Sequence, residues 1–266
     1  MPSNSVKREG GKRRQGLMCG SRDKAPLLSI ITPVFNTVQT IEDTIRSVVG
    51  QKFSDYEFII IDGGSTDGSV ELLRKHDNDI DYWVSEPDKG VYDAFNKGID
   101  LSRGDWIYFL GSDDTLFDSQ VLSRFFPAPH ASKMLYGNVA WSSGNKIYDG
   151  RFSKNKLAYK NICQQAIFYH RQLFEKHGKF DPEYRLNADW VFNMKCFSDK
   201  TTKPVFLNHI VCNYAITGLS TLNIDTLFHQ RQRMLTRRYL GVIPYLIFRL
   251  HQLYTHTRRI LTTGKL

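Results

Sequence analysis

Cysteine is scarce in this 266-residue chain: Cys19, Cys163, Cys196 and Cys212 are far apart, with no C-x-x-C pair and no metal-finger spacing. That excludes a disulfide scaffold and a zinc module, and a reducing cytoplasmic setting is expected. Long apolar runs are also missing. The longest stretch near the C-terminus, 241–248, stops at Arg249 and is too short to span a bilayer. Residues 1–26 lack an apolar core segment, so no signal peptide is expected there. Neither G-x-G-x-x-G nor G-x-x-x-x-G-K-[ST] occurs, so ordinary dinucleotide enzymes and P-loop enzymes lose support. Zinc-finger, RNP-type and helix-turn-helix patterns are absent too, and no nucleic-acid partner is expected.

What remains is a globular composition, 41% apolar, with charge sorted along the chain. Residues 1–26 carry a net +5 and residues 226–266 a net +8 with no acid at all, so the body between them is mildly acidic. The "VKREGGKRRQG" segment lacks apolar periodicity and reads as a disordered basic tail over 1–26. From residue 223 to 266 the pattern is helical, amphipathic and basic, which suits an anionic membrane surface at the inner face of the plasma membrane.

Between these ends, "LLSIIT", "FIIID", "IDYWVS" and "DWIYFL" read as buried strands separated by helical stretches. Such alternation predicts an α/β fold with a mainly parallel sheet, whose ligands bind beyond the carboxyl ends of the strands. Four segments fall there: "TPVFN", "DGGSTDG", "SEPDKG" and "GSDD". Adjacent carboxylates at a strand end, Asp113 and Asp114, suit Mg²⁺ or Mn²⁺ with a diphosphate completing the shell. They also suit the cap of a helix over 115–124, and the residues alone leave both uses open. Further on, "MLYGNVAW" and "NKIYDG" resemble a hairpin, "QQAIFYH" a strand and 188–198 a helix.

In order and spacing, "SIITPVFN", "FIIIDGGSTDGS", "SEPDKGVYDAFNKGI" and "RGDWIYFLGSDD" resemble the nucleotide-binding half of glycosyltransferase family 2, with its GT-A fold. The likeness is strong over 27–115 and weaker to about 215, which implies a GT-A domain over 27–222, with an acceptor half at 116–222 and the C-terminal helical extension beyond it. It implies that Thr32, Pro33, Phe35 and Asn36 hold nucleobase and ribose, with Asp62 against the base. Asp88, Lys89 and Gly90 would line the nucleotide pocket, with Asn96 and Ser112 beside it. The family usually writes Asp-x-Asp-Asp where this chain has Gly111-Ser112-Asp113-Asp114, so metal duty falls on Asp113 with Asp114 in support.

The resemblance also implies a base. Asp189, in "YRLNADWVFNMK", takes the acceptor proton in an inverting transfer, with Trp190 walling the acceptor site and Gln164 or Gln165 touching sugar. Helix capping is the competing use of Asp189. A uridine nucleotide is the family default, and the acceptor is expected to be a saccharide or a lipid-linked saccharide. A sugar-phosphate nucleotidyltransferase would show a Gly-rich, basic first loop in place of "TPVFN". A non-catalytic nucleotide-sugar-binding module has one hint in its favour, Gly111.

Overall fold

The computed structural model describes residues 7–17, 25–127, 129–142, 146–215 and 224–263. Its centre is one mixed ten-stranded sheet. The first five strands are β1 (Arg8–Gly10), β2 (Leu28–Val34), β3 (Tyr56–Asp62), β4 (Tyr82–Ser85) and β5 (Trp106–Phe109). Strands β2 to β5 coincide with the four apolar runs, and helices cover them as a buried parallel sheet requires. These crossover helices are α1 (Ile41–Val49), α2 (Ser69–Lys75) and α3 (Val91–Leu101). Strand β2 pairs in parallel with β3 and β5, and β3 with β4.

Register then sets the site. Val34 pairs with Asp62 and Asp62 with Ser85, so three strands end level and their loops open along one edge. Pro33 is tolerated in this central strand because β5 pairs with β2 only as far as Ile31, leaving no ladder bond for the missing N–H to break.

The second half completes the sheet with β6 (Thr115–Leu116), β7 (Met134–Trp141), β8 (Ile147–Tyr148), β9 (Ile167–His170) and β10 (Val205–Tyr214). Strand β9 runs antiparallel between β5 and β7, and β7 and β8 form the expected hairpin. Helices α4 (Val121–Phe125), α5 (Lys154–Leu157), α6 (Gln172–His177) and α7 (Ala188–Ser198) flank it. An aromatic cluster joins the halves: Phe95 of α3 lies 4.5 Å from Phe109 of β5, and Phe174 and Phe192 stack at 4.6 Å. Beyond residue 224 come a helix over Thr226–Leu235, a π turn over Thr236–Leu240 and a long helix over Val242–Thr263. No described helix is long and apolar enough to cross a membrane.

The disordered tail expected over 1–26 is corrected where it is seen, and its residues 1–6 and 18–24 lie outside the described residues. Residues 8–10 form an edge strand, β1, antiparallel to β4, although "REG" carries no apolar signal. Polar anchors replace the missing core contacts. The Arg13 guanidinium donates to Glu57 and to the Leu101 carbonyl (2.9 Å), while Ser29 Oγ (2.6 Å) and Arg103 Nε (2.9 Å) complete the shell of that buried acid. Burial alone would raise the Glu57 pKa, but these donors and charges outweigh it and hold the carboxyl below its ordinary range.

Candidate active site

At the level strand ends, the carboxylate of Asp62 is fully buried and organises its own loop. Its Oδ2 accepts from the N–H groups of Gly64 (3.0 Å) and Ser65 (3.0 Å) and from Ser85 Oγ (2.6 Å), and its Oδ1 accepts from Ser65 Oγ. With three donors on Oδ2 and one on Oδ1, Asp62 shapes its own loop, and Oδ1 keeps acceptor capacity. The first loop is tied to the second. Asn36, at φ 53°, donates its N–H to Ser65 Oγ (2.8 Å) and accepts from the Thr66 N–H through Oδ1 (2.9 Å). Phe35 projects from this loop with 62% of its surface exposed, available as a stacking platform, while Thr32 is buried with its hydroxyl unpartnered.

The third loop closes against the second. A Cβ on Gly63 would stand 2.6 Å from Asp88 Oδ2, so glycine permits the approach. Burial raises the Asp88 pKa, and Asp88 Oδ1 accepts from the Gly90 N–H at 2.9 Å. Lys89 is exposed beside them.

The fourth strand end carries the acids. Residues 115–124 are not one helix: Asp114 leads into β6, which pairs with β10, so the helix-cap use fails. Ser112 is buried, and Asp113 is partly exposed. Asp114 is 1% exposed; its Oδ1 accepts from the Ala215 N–H at 2.8 Å, and its Oδ2 is buried with no hydrogen-bond partner. Burial first and the Asp113 charge second push the Asp114 pKa up to about 7, with Ala215 and Gln165 pulling the other way, and burial raises Asp113 too. No ion pair reaches either acid among the described residues.

An uncompensated oxygen pair with an orphaned oxygen fits a hard divalent cation such as Mg²⁺ or Mn²⁺. No group of three His, Cys, Asp or Glu gathers around one point among the described residues, so a cation held here would draw the rest of its shell from waters and substrate phosphates.

Gly111 is sterically fixed. A Cβ there would fall 2.5 Å from Asp114 Oδ2 and 3.0 Å from Asp113 Oδ1. We expect Gly111→Ala to cost about 1–3 kcal/mol by thermal melting, the range for overpacking. Gly111→Asp is expected to lower activity despite restoring the family's usual acid.

Asp189 lies in the first turn of α7, 5% exposed. Its Oδ1 accepts from Tyr92 Oη (2.6 Å) and its Oδ2 from Asn161 Nδ2 (2.7 Å). Burial pushes its pKa up to about 6, against the lowering effect of those two donors. Burial first, then the Asp114 charge and also that of Asp189, raise the Cys163 thiol.

Tyr92, Asn161 and Cys163 were missed in the sequence. Tyr92 and Asn96 stand four apart on α3, the one available signal, since that spacing puts both on one helical face. The Asn96 amide donates to the Phe180 carbonyl (2.8 Å) and accepts from the Phe180 N–H (3.1 Å), which clamps α3 to that segment. Trp190 is nearly buried, donates to the Leu157 carbonyl (2.7 Å) and packs 4.9 Å from Phe228. Gln165 borders Asp114 and accepts from Cys163 Sγ at 3.1 Å. Gln164 accepts from Tyr169 Oη (3.3 Å), with its amide nitrogen buried and unpartnered.

Comparison with known proteins agrees with this geometry. The family model described as glycosyl transferase family 2 matches residues 29–179. A "PGL/p-HBAD biosynthesis glycosyltransferase" of Mycobacterium bovis is 36% identical over 233 residues, covering 85% of this chain and 91% of the relative. An uncharacterised glycosyltransferase of Mycobacterium tuberculosis is 32% identical over 229 residues, covering 81% and 86%. Among solved structures, residues 1–349 of S. aureus TarS in complex with UDP-GlcNAc superpose with a TM-score of 0.66 at 17% identity, covering 78% of this chain and 65% of that one. The mannosyltransferase PcManGT of Pyrobaculum calidifontis, in complex with GDP-Man and Mn²⁺, gives a TM-score of 0.59 at 16% identity, covering 82% and 63%. With a GT-A-like sheet, loops gathered at its carboxyl edge and more than half of the chain matched by the family model, this protein belongs to glycosyltransferase family 2.

Proposed function

We propose that this glycosyltransferase inverts configuration and depends on a divalent cation, moving one sugar from a nucleoside-diphosphate sugar, uridine by preference, to a hydroxyl of a saccharide or lipid-linked saccharide. The place of action is the cytoplasmic side of the membrane, in assembly of a surface polysaccharide or glycolipid. The observation that carries this reading is Asp189: a buried carboxylate held by Tyr92 and Asn161, with its pKa pushed up to about 6. The uridine preference is supported by the UDP and UDP-GlcNAc complexes of TarS, and the glycolipid setting by the printed role of the mycobacterial relative.

The residues divide the work. Phe35, Asn36 and the loop shaped by Asp62 face the nucleoside, and Asp88 with Lys89 borders it. Asp113 and Asp114 hold the cation, which when bound neutralises the diphosphate and eases its departure. The acceptor oxygen bonds to the anomeric carbon as the bond from that carbon to the diphosphate breaks, and the acceptor proton passes to Asp189. Tyr92 and Asn161 occupy two of the roughly four lone-pair sites of that carboxylate and leave room for the proton.

The test is release of nucleoside diphosphate from a panel of sugar nucleotides with Mn²⁺ or Mg²⁺, with and without acceptor. Turnover of one UDP-sugar with inverted product is expected. Pyrophosphate release from a nucleoside triphosphate plus a sugar phosphate would replace this reading with a nucleotidyltransferase, and binding without turnover would leave a binding module.

A further inference from the structure

The helix Val242–Thr263 has two apolar faces, and only one is used by the fold. Pro244 and Phe248 are buried against the body, with Tyr159 stacked on His251 at 4.4 Å. On the opposite face Val242, Ile243, Leu246, Leu250, Leu253 and Tyr254 are each more than half exposed. Their spacing of three and four residues makes them one stripe. Core packing accounts for the first face and has no use for the second.

Beside the start of this stripe lies a groove lined by Arg233, Met234, Arg237, Arg238 and Tyr245. The three arginines are exposed, and no carboxylate pairs with them among the described residues. Arg238 lies over the Tyr239 ring and Arg233 donates to Gln252 Oε1 (3.3 Å), contacts that orient the guanidinium groups without neutralising them. Residues 226–266 contain eight Lys or Arg and no acid.

We propose that this surface docks on an anionic lipid bilayer, the stripe entering the acyl boundary while Arg233, Arg237 and Arg238 take lipid phosphates. A second copy pairing through the same face would bring like charges together. A nucleic acid would have no use for an aliphatic stripe. Docking also orients the enzyme, because the C-terminal helices pack on the acceptor half: Gln232 donates to the Ala158 carbonyl (3.3 Å), three residues before the Asn161 that holds Asp189. The lipid-linked acceptor rests on the transfer reading above; the docking itself does not, and a binding assay separates the two.

The assay is flotation of the full chain with vesicles of phosphatidylcholine alone or mixed with phosphatidylglycerol. The wild type is expected to float with the anionic vesicles and to be released by high salt. Leu246→Asp/Leu250→Asp should weaken binding by about tenfold or more, since the apolar face then carries charge. Arg237→Glu/Arg238→Glu should weaken it by about thirty-fold or more, from the loss of two basic side chains at the surface. Both pairs alter exposed positions, and an unchanged circular dichroism spectrum confirms that each variant is folded. Equal recovery with neutral and anionic vesicles, no flotation, or wild-type flotation of the arginine variant overturns the proposal. So does sedimentation showing a dimer that Leu246→Asp/Leu250→Asp dissolves.

Discussion

Replacing Asp189 with Asn is expected to lower kcat by roughly a thousandfold, within the range of about 10²–10⁴ that a positioned general base supplies. The fold should survive the change. An amide fits with its oxygen toward Asn161 Nδ2 and its nitrogen toward Tyr92, whose hydroxyl already lies 3.0 Å from the Leu186 carbonyl and can donate there instead. The pH profile separates chemistry from packing. Wild-type kcat/KM should rise with pH through about 6, where Asp189 ionises, and level off above. The Asn variant should lack that limb.

The sign for stability is the opposite. A carboxyl whose folded pKa lies above its unfolded value stabilises fully below that unfolded value, and the contribution disappears as pH rises through about 6. Asp189→Asn should therefore melt at or above the wild-type temperature at pH 8. A loss of activity that followed a lower melting temperature, with the pH limb intact, would remove the base assignment.

Asp113→Ala is expected to reduce turnover by about a thousandfold or more and to abolish the response to added Mn²⁺, because a bound cation supplies several kcal/mol of charge stabilisation. No basic side chain is paired with Asp113 or Asp114 among the described residues, so the pair has no internal substitute for a cation. Isothermal titration of Mn²⁺ in the presence of UDP should show the loss directly. It should leave the fold intact, since Asp113 is partly exposed and the Asp114 anchor to Ala215 is untouched. Wild-type Mn²⁺ affinity in the variant would exclude Asp113 as a ligand.

The nucleotide half was legible because its signals are strong and local. Each of β2 to β5 is a short, continuous apolar run, and the loop after each ends in glycine, proline or acid. Strand β10 escaped because its alternation is broken by register shifts between Phe206 and Ile210 and again before Cys212. The edge strand β1 escaped for a different reason: it is held by Arg13 on a buried acid of β3, a partner 44 residues away that no window contains. At the site, residue types were legible and partnerships were not. The Asp62 carboxylate takes donors from its own loop and from Ser85, and the Asn96 and Trp190 side chains bond to the Phe180 backbone and the Leu157 carbonyl, partners no local pattern announces. The partners of Asp189, Tyr92 and Asn161, lie 97 and 28 residues away, beyond any local pattern.

Helix α3 bears on how the site is spaced. Tyr92 reaches Leu186 and Asp189, Asn96 clips both sides of Phe180, and Phe95 fills the aromatic cluster between them. One helix face thereby ties the strands that carry the nucleotide-side loops to the segment that carries Asp189. On the roles proposed above, the span from Asp113 to Asp189 would be set by how this helix packs.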